Sequence, residues 1–82
     1  MRILVAEDDA VLADGVMTAL RQSGYAVDWV KNGVEAESAL ATESFDLLIL
    51  DIGLPRKSGL DVLKSLRAKD YRLPVLILTA LE

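Results

Sequence analysis

Leu47-Leu48-Ile49-Leu50-Asp51 decides the fold of this chain. Four aliphatic residues run straight into a carboxylate, and Ile52, Gly53, Leu54, Pro55 and Gly59 follow. An unbroken apolar run bounded by turn residues reads as a strand buried on both faces, the kind that parallel sheets contain. Asp51 then stands at the carboxyl end of that strand. In open α/β sheets this is the edge where ligands sit.

Working outward, Ile3-Leu4-Val5-Ala6 repeats the pattern and ends in Glu7-Asp8-Asp9. It predicts a buried strand that opens into a loop of acids. Asp9 is a good N-cap for a first helix. That helix carries Leu12, Val16, Ala19 and Leu20 on one face, and Gly24 stops it. Residues 25–30 alternate in character and predict a strand with one wetter face. Asn32 caps a second helix, with Glu35 reaching back in a variant of the capping box and Ala36, Ala39 and Leu40 facing inward. Ser58 caps a third helix, with Asp61 three residues on and an apolar stripe of Leu60, Leu63 and Leu66. Pro74 opens a fourth aliphatic strand over residues 74–79, a position where its missing N–H does no harm. Strands that alternate with helices imply right-handed crossovers and an α/β fold with a parallel sheet. The two most apolar strands, the first and third, belong in the middle. The expected order is therefore 2-1-3-4, with the first helix on one face and the other two on the opposite face.

Composition narrows the function. The chain has 82 residues, 52% hydrophobic and 27% charged, which allows one modest domain and excludes disorder. A formal charge of −4 argues against direct nucleic-acid binding. No histidine is present, so a histidine base or a Ser-His pair has no place here. Nor is there a run long enough to span a membrane. The N-terminal run reaches Glu7 too soon for a signal peptide, and cysteine is absent, so a cytoplasmic location is expected.

In a parallel sheet the ends of the first, third and fourth strands share one edge. This brings together Glu7, Asp8, Asp51 and Thr79. Converging carboxylates repel, which raises their proton affinity or calls for a cation. Hard oxygen ligands with room left for water and phosphate suit magnesium. A metal beside Asp51 would neutralise an approaching phosphoryl group and leave the carboxylate able to attack it. Thr79 offers a hydroxyl to a phosphoryl oxygen, and Gly53 a carbonyl beside the site. Taken singly, each residue has an ordinary structural explanation as a cap, a turn or a strand position. For Asp9 the capping role is the better one. Together, at one edge, they do not fit chance well.

These stretches resemble the receiver domain of two-component response regulators. The resemblance rests on Ile3-Leu4-Val5-Ala6-Glu7-Asp8-Asp9, on Leu48-Ile49-Leu50-Asp51-Ile52-Gly53-Leu54-Pro55 with Gly59, and on Pro74-Val75-Leu76-Ile77-Leu78-Thr79-Ala80. It spans the chain and is most similar to the winged-helix transcription-factor branch. It implies a flavodoxin-like, three-layer α/β/α receiver over residues 1–82. It also implies that Asp51 takes a phosphoryl group from a sensor histidine kinase, without the domain being an enzyme beyond self-catalysed phosphorylation and dephosphorylation. Magnesium would be held by Asp8, Asp51 and the Gly53 carbonyl, with Glu7 acting mostly through water. Thr79 would be the switch hydroxyl and Ala80 the small residue that leaves it room.

A complete receiver continues through a further helix, a fifth strand that ends in lysine, and a fifth helix. The resemblance therefore implies an N-terminal portion cut short after the fourth strand. DNA binding would fall to a separate C-terminal domain of the parent protein. A bare edge on the fourth strand predicts self-association, as a dimer paired or swapped there. The alternatives are a structural or dimerisation fragment that is not phosphorylated, or a magnesium-dependent phosphatase-like enzyme. Against the latter, such phosphatases carry a second acid two residues after the first, where this chain has Gly53. A nucleotide hydrolase would need a phosphate-binding Gly-Lys loop, which the sequence lacks.

Overall fold

The aliphatic runs form the centre of a parallel sheet. The computed structural model describes residues 1–78. Its elements follow the order β1 (Arg2–Ala6), α1 (Ala10–Gln22), β2 (Ala26–Val30), α2 (Gly33–Thr42), β3 (Leu47–Asp51), α3 (Gly59–Ala68) and β4 (Val75–Leu78). The strands lie in the order β2-β1-β3-β4, every neighbour parallel. The sequence anticipated this order, because the strands buried on both faces must be central.

The period of two along each strand splits the core into two layers. Leu4, Ala6, Leu48 and Leu50 face Ala36 and Leu40 of α2 and Val62 and Leu66 of α3. Ile3, Val5, Val27 and Ile49 face Met17 of α1. The sheet thus has one helix on one face and two on the other. Ile3, Leu4, Leu48 and Leu50 are almost fully buried. Each contributes about 2 kcal/mol of transfer free energy.

Helix starts follow their caps. Asp9 Oδ1 accepts the N–H groups of Val11 (3.0 Å) and Leu12 (3.2 Å). Asn32 Oδ1 accepts Glu35 N–H at 2.8 Å, and the Glu35 carboxylate accepts the N–H of Lys31 at 3.1 Å. Ser58 Oγ accepts Asp61 N–H at 3.2 Å.

Two buried faces differ from the sequence expectation. On α1 the residues against the sheet are Ala13 and Met17, flanked by half-buried Val16 and Leu20, while Leu12 and Ala19 are exposed. The observed stripe keeps Val16 and Leu20 but replaces Leu12 and Ala19 with Ala13 and Met17, a turn of the face by less than one residue. On α3 the buried line is Gly59, Val62 and Leu66, and Leu60 is exposed. Gly59 sets that rotation: a Cβ there would lie 2.1 Å from the Asp51 carbonyl oxygen. The helix meets the sheet on the face where it has no side chain.

Candidate functional site

Glu7 and Asp51 meet because of register. β1 and β3 pair Val5 with Ile49 and Ala6 with Leu50. One step further along both strands sets Glu7 opposite Asp51. Both positions share the parity of Val5 and Ile49, so both side chains leave the sheet on the same side. Asp8 follows in the loop. Carboxylate oxygens of Glu7, Asp8 and Asp51 lie within 4.8 Å of one another, with Glu7 buried, Asp51 half-buried and Asp8 exposed.

The surroundings fix each acid differently. Glu7 Oε1 accepts the Asp9 N–H at 3.1 Å, and Asp51 Oδ1 accepts the Gly53 N–H at 3.1 Å. Burial pushes the Glu7 carboxyl above its ordinary pKa, and the charges of Asp51 and Asp8 push the same way, against the Asp9 N–H. No lysine or arginine forms an ion pair with these acids among the described residues. Three mutually repelling oxygen donors, one of them buried, make a donor set that fits a small divalent cation.

The sequence-predicted residues fall into three groups. The structure brings together Glu7, Asp8 and Asp51. Gly53 lies at their rim, where a Cβ would stand 3.9 Å from both Asp51 carboxylate oxygens. Asp9 turns away to cap α1. Thr79 and Ala80 lie outside the described residues.

Two residues at this edge escaped the sequence. Trp29 donates its indole N–H to the Glu7 carbonyl at 2.7 Å. Lys57 lies in the loop between β3 and α3, and its ammonium bridges Glu37 of α2 (2.5 Å) and Ser65 of α3 (3.0 Å). Strand alternation marked Trp29 without showing where its nitrogen would reach. Lys57 carried no local signal.

The chain is similar to known proteins in sequence and in fold. The response regulator receiver domain family matches residues 3–82. The response regulator protein PmrA of Pseudomonas aeruginosa is 60% identical over 98% of this chain. The transcriptional regulatory protein BasR of Escherichia coli is 46% identical over the same share. The chain spans 36% of the length of these relatives. Among solved structures, a Francisella response regulator receiver domain superposes with a TM-score of 0.94 at 32% identity, covering 99% of this chain and 67% of that one. The response regulator TrrA of Thermotoga maritima, in complex with Mg(2+)-BeF, gives 0.92 at 36% identity, with 99% and 70% covered.

Proposed function

The chain belongs to the response regulator receiver domain family, and from that membership we propose that Asp51 is its phosphoryl acceptor, with a sensor histidine kinase as donor. The observation that carries this reading is the convergence of Glu7, Asp8 and Asp51 within 4.8 Å at one sheet edge. A carboxylate oxygen of Asp51 attacks phosphorus. The bond from phosphorus to the donor imidazole breaks, and its electron pair stays on the imidazole nitrogen. The product is an acyl phosphate on Asp51.

Asp8, Asp51 and the Gly53 carbonyl would hold magnesium, and Glu7 would contact it through water. When bound, that ion neutralises the phosphoryl oxygens as they approach a carboxylate of like charge. The backbone supplies orientation: the Gly53 N–H holds one Asp51 oxygen at 3.1 Å and leaves the other to react. Thr79 is proposed as the hydroxyl that turns toward the phosphoryl group, with Ala80 leaving it space. The domain acts as a switch rather than a catalyst of turnover, beyond transfer to and from its own Asp51.

For the whole protein we propose a transcription regulator in which residues 1–82 are the N-terminal portion of the receiver and a separate C-terminal domain binds DNA. The relatives named as transcriptional regulators support this. For the 82-residue chain by itself we also propose self-association through the outer edge of β4, which has β3 as its neighbour on the other side.

Incubation with magnesium and acetyl phosphate, followed by intact mass measurement, tests the acceptor. The chain should gain one phosphoryl group, slowly because residues 1–82 lack the lysine that ends a receiver's fifth strand, and Asp51→Asn should gain none, because an amide is a poor nucleophile. Equal uptake by Asp51→Asn would move the acceptor elsewhere.

A further inference from the structure

Glu7 is held from both sides of its own backbone. The hydrogen-bonded strand β1 ends at Ala6. One residue on, the Glu7 N–H donates to the Val30 carbonyl at 3.1 Å. Its carbonyl accepts the Trp29 indole N–H at 2.7 Å. Both partners belong to β2, so the edge strand grips the residue whose carboxylate points across the sheet toward β3.

The indole cannot easily let go. Trp29 is half-buried, and its N–H is a donor only, which finds in the Glu7 carbonyl a partner at the edge of the core. The ring packs against the cluster of Ile3, Val5, Met17, Val27 and Ile49. The Lys31 ammonium stands 5.2 Å from the ring centroid. Glu7, by contrast, has reason to leave. It is 4% exposed and lies beside two other acids.

We propose that Trp29 is a positioning residue for the acidic site. Its indole N–H fixes the Glu7 carbonyl and so holds the Glu7 carboxylate beside Asp8 and Asp51. The proposal rests on the reading of that site as a divalent-cation site and adds a residue to it from a strand that supplies none of the acids. Partners that orient a metal ligand typically account for 10- to 100-fold in affinity. Trp29 acts through the backbone of a water-mediated ligand, so the low end applies.

The test is a magnesium titration of the 82-residue chain followed by nitrogen-15 NMR. In the native chain the Trp29 indole resonance should move with the same midpoint as the amides of Asp8 and Gly53. Trp29→Phe keeps a ring beneath Lys31 and removes the donor, and its midpoint should rise about tenfold. Val27→Ala removes packing from the same strand without touching the donor. It should lower the urea midpoint while leaving the magnesium midpoint in place. An unchanged midpoint in Trp29→Phe, or an equal rise in Val27→Ala, would reduce Trp29 to ordinary packing and overturn the proposal. Should Trp29→Phe not fold, an indole resonance in the native chain that ignores magnesium overturns it as well. Silence of the Asp8 and Gly53 amides in the native chain would instead sink the cation-site reading, and the proposal with it.

Discussion

Acids are seldom buried unless something pairs with them, and Glu7 is buried next to two of its own kind. Two unit charges no more than 4.8 Å apart repel by at least roughly 3 kcal/mol at an effective dielectric of 20. Water around exposed Asp8 screens part of that. In buffer free of divalent cations, Glu7→Gln should therefore raise the unfolding free energy by roughly 1–2 kcal/mol. The same substitution should weaken the stabilisation that added magnesium brings. Urea unfolding with and without magnesium measures both, and a Gln variant less stable than the parent without the ion would contradict the repulsion. Residues of this kind were legible in the sequence. An acid directly after an aliphatic run is placed by the run, and register does the rest. Trp29 was not legible, because its role depends on how far an indole reaches across a strand pair. The turn after β3 was legible only in part. Gly53, Pro55 and Gly59 marked it, yet the residue that takes the left-handed conformation is Arg56, at φ 67°, and an arginine gives no hint of that.

Caps and the cores of the strands were read correctly, whereas the buried faces of α1 and α3 were read only in part: Val16, Leu20, Leu63 and Leu66 pack inward, but Leu12, Ala19 and Leu60 are exposed. Capping is local chemistry. The rotation of a helix on its sheet is set by close approaches such as Gly59 against Asp51, which involve distant partners. A second such approach ties α2 to the β3–α3 loop. Gly33 N–H donates to the Pro55 carbonyl at 3.3 Å, and a Cβ on Gly33 would lie 1.9 Å from the Lys57 carbonyl oxygen. The Lys57 side chain closes the tie through Glu37 and Ser65. The hydrogen bond from Lys57 holds the Glu37 carboxyl below its ordinary pKa. A carboxyl with a depressed folded-state pKa adds stability above its unfolded pKa and loses it as pH falls through the folded value. The side chains are 30% exposed, so the contribution is modest. Glu37→Gln should cost less than about 1 kcal/mol at pH 7. It should also flatten the fall in stability below roughly pH 4.5. Urea midpoints taken from pH 7 into the acid range check this, and an unchanged acid slope would show that the pair contributes nothing.

At the scale of the whole molecule, the sheet order and the split of helices between faces followed from apolar runs and crossover handedness. Coverage of the sheet is uneven, however. α1 packs on β1 and β2, and of β4 Leu78 reaches that layer while Leu76 does not. Leu76, in register with buried Ile49, is therefore 53% exposed. An apolar residue beside a strand edge that offers free donors and acceptors invites another strand. Sedimentation should show a monomer–dimer equilibrium for the 82-residue chain, and Leu76→Lys should shift it toward monomer. A concentration-independent monomer would show that the edge is protected in solution. The same unevenness has a counterpart in time. β1 has a strand on either side and helices above and below, while β4 is described with one neighbour. Amide protons of β1 should exchange with solvent only when the whole domain opens, and those of β4 through local opening, far sooner. Asp51 closes the strand between them. The proposed acceptor thus sits on the boundary between a slow half and a fast half. Its β1 side keeps the acids in place on the timescale of unfolding, while its β4 side can rearrange within the lifetime of the fold.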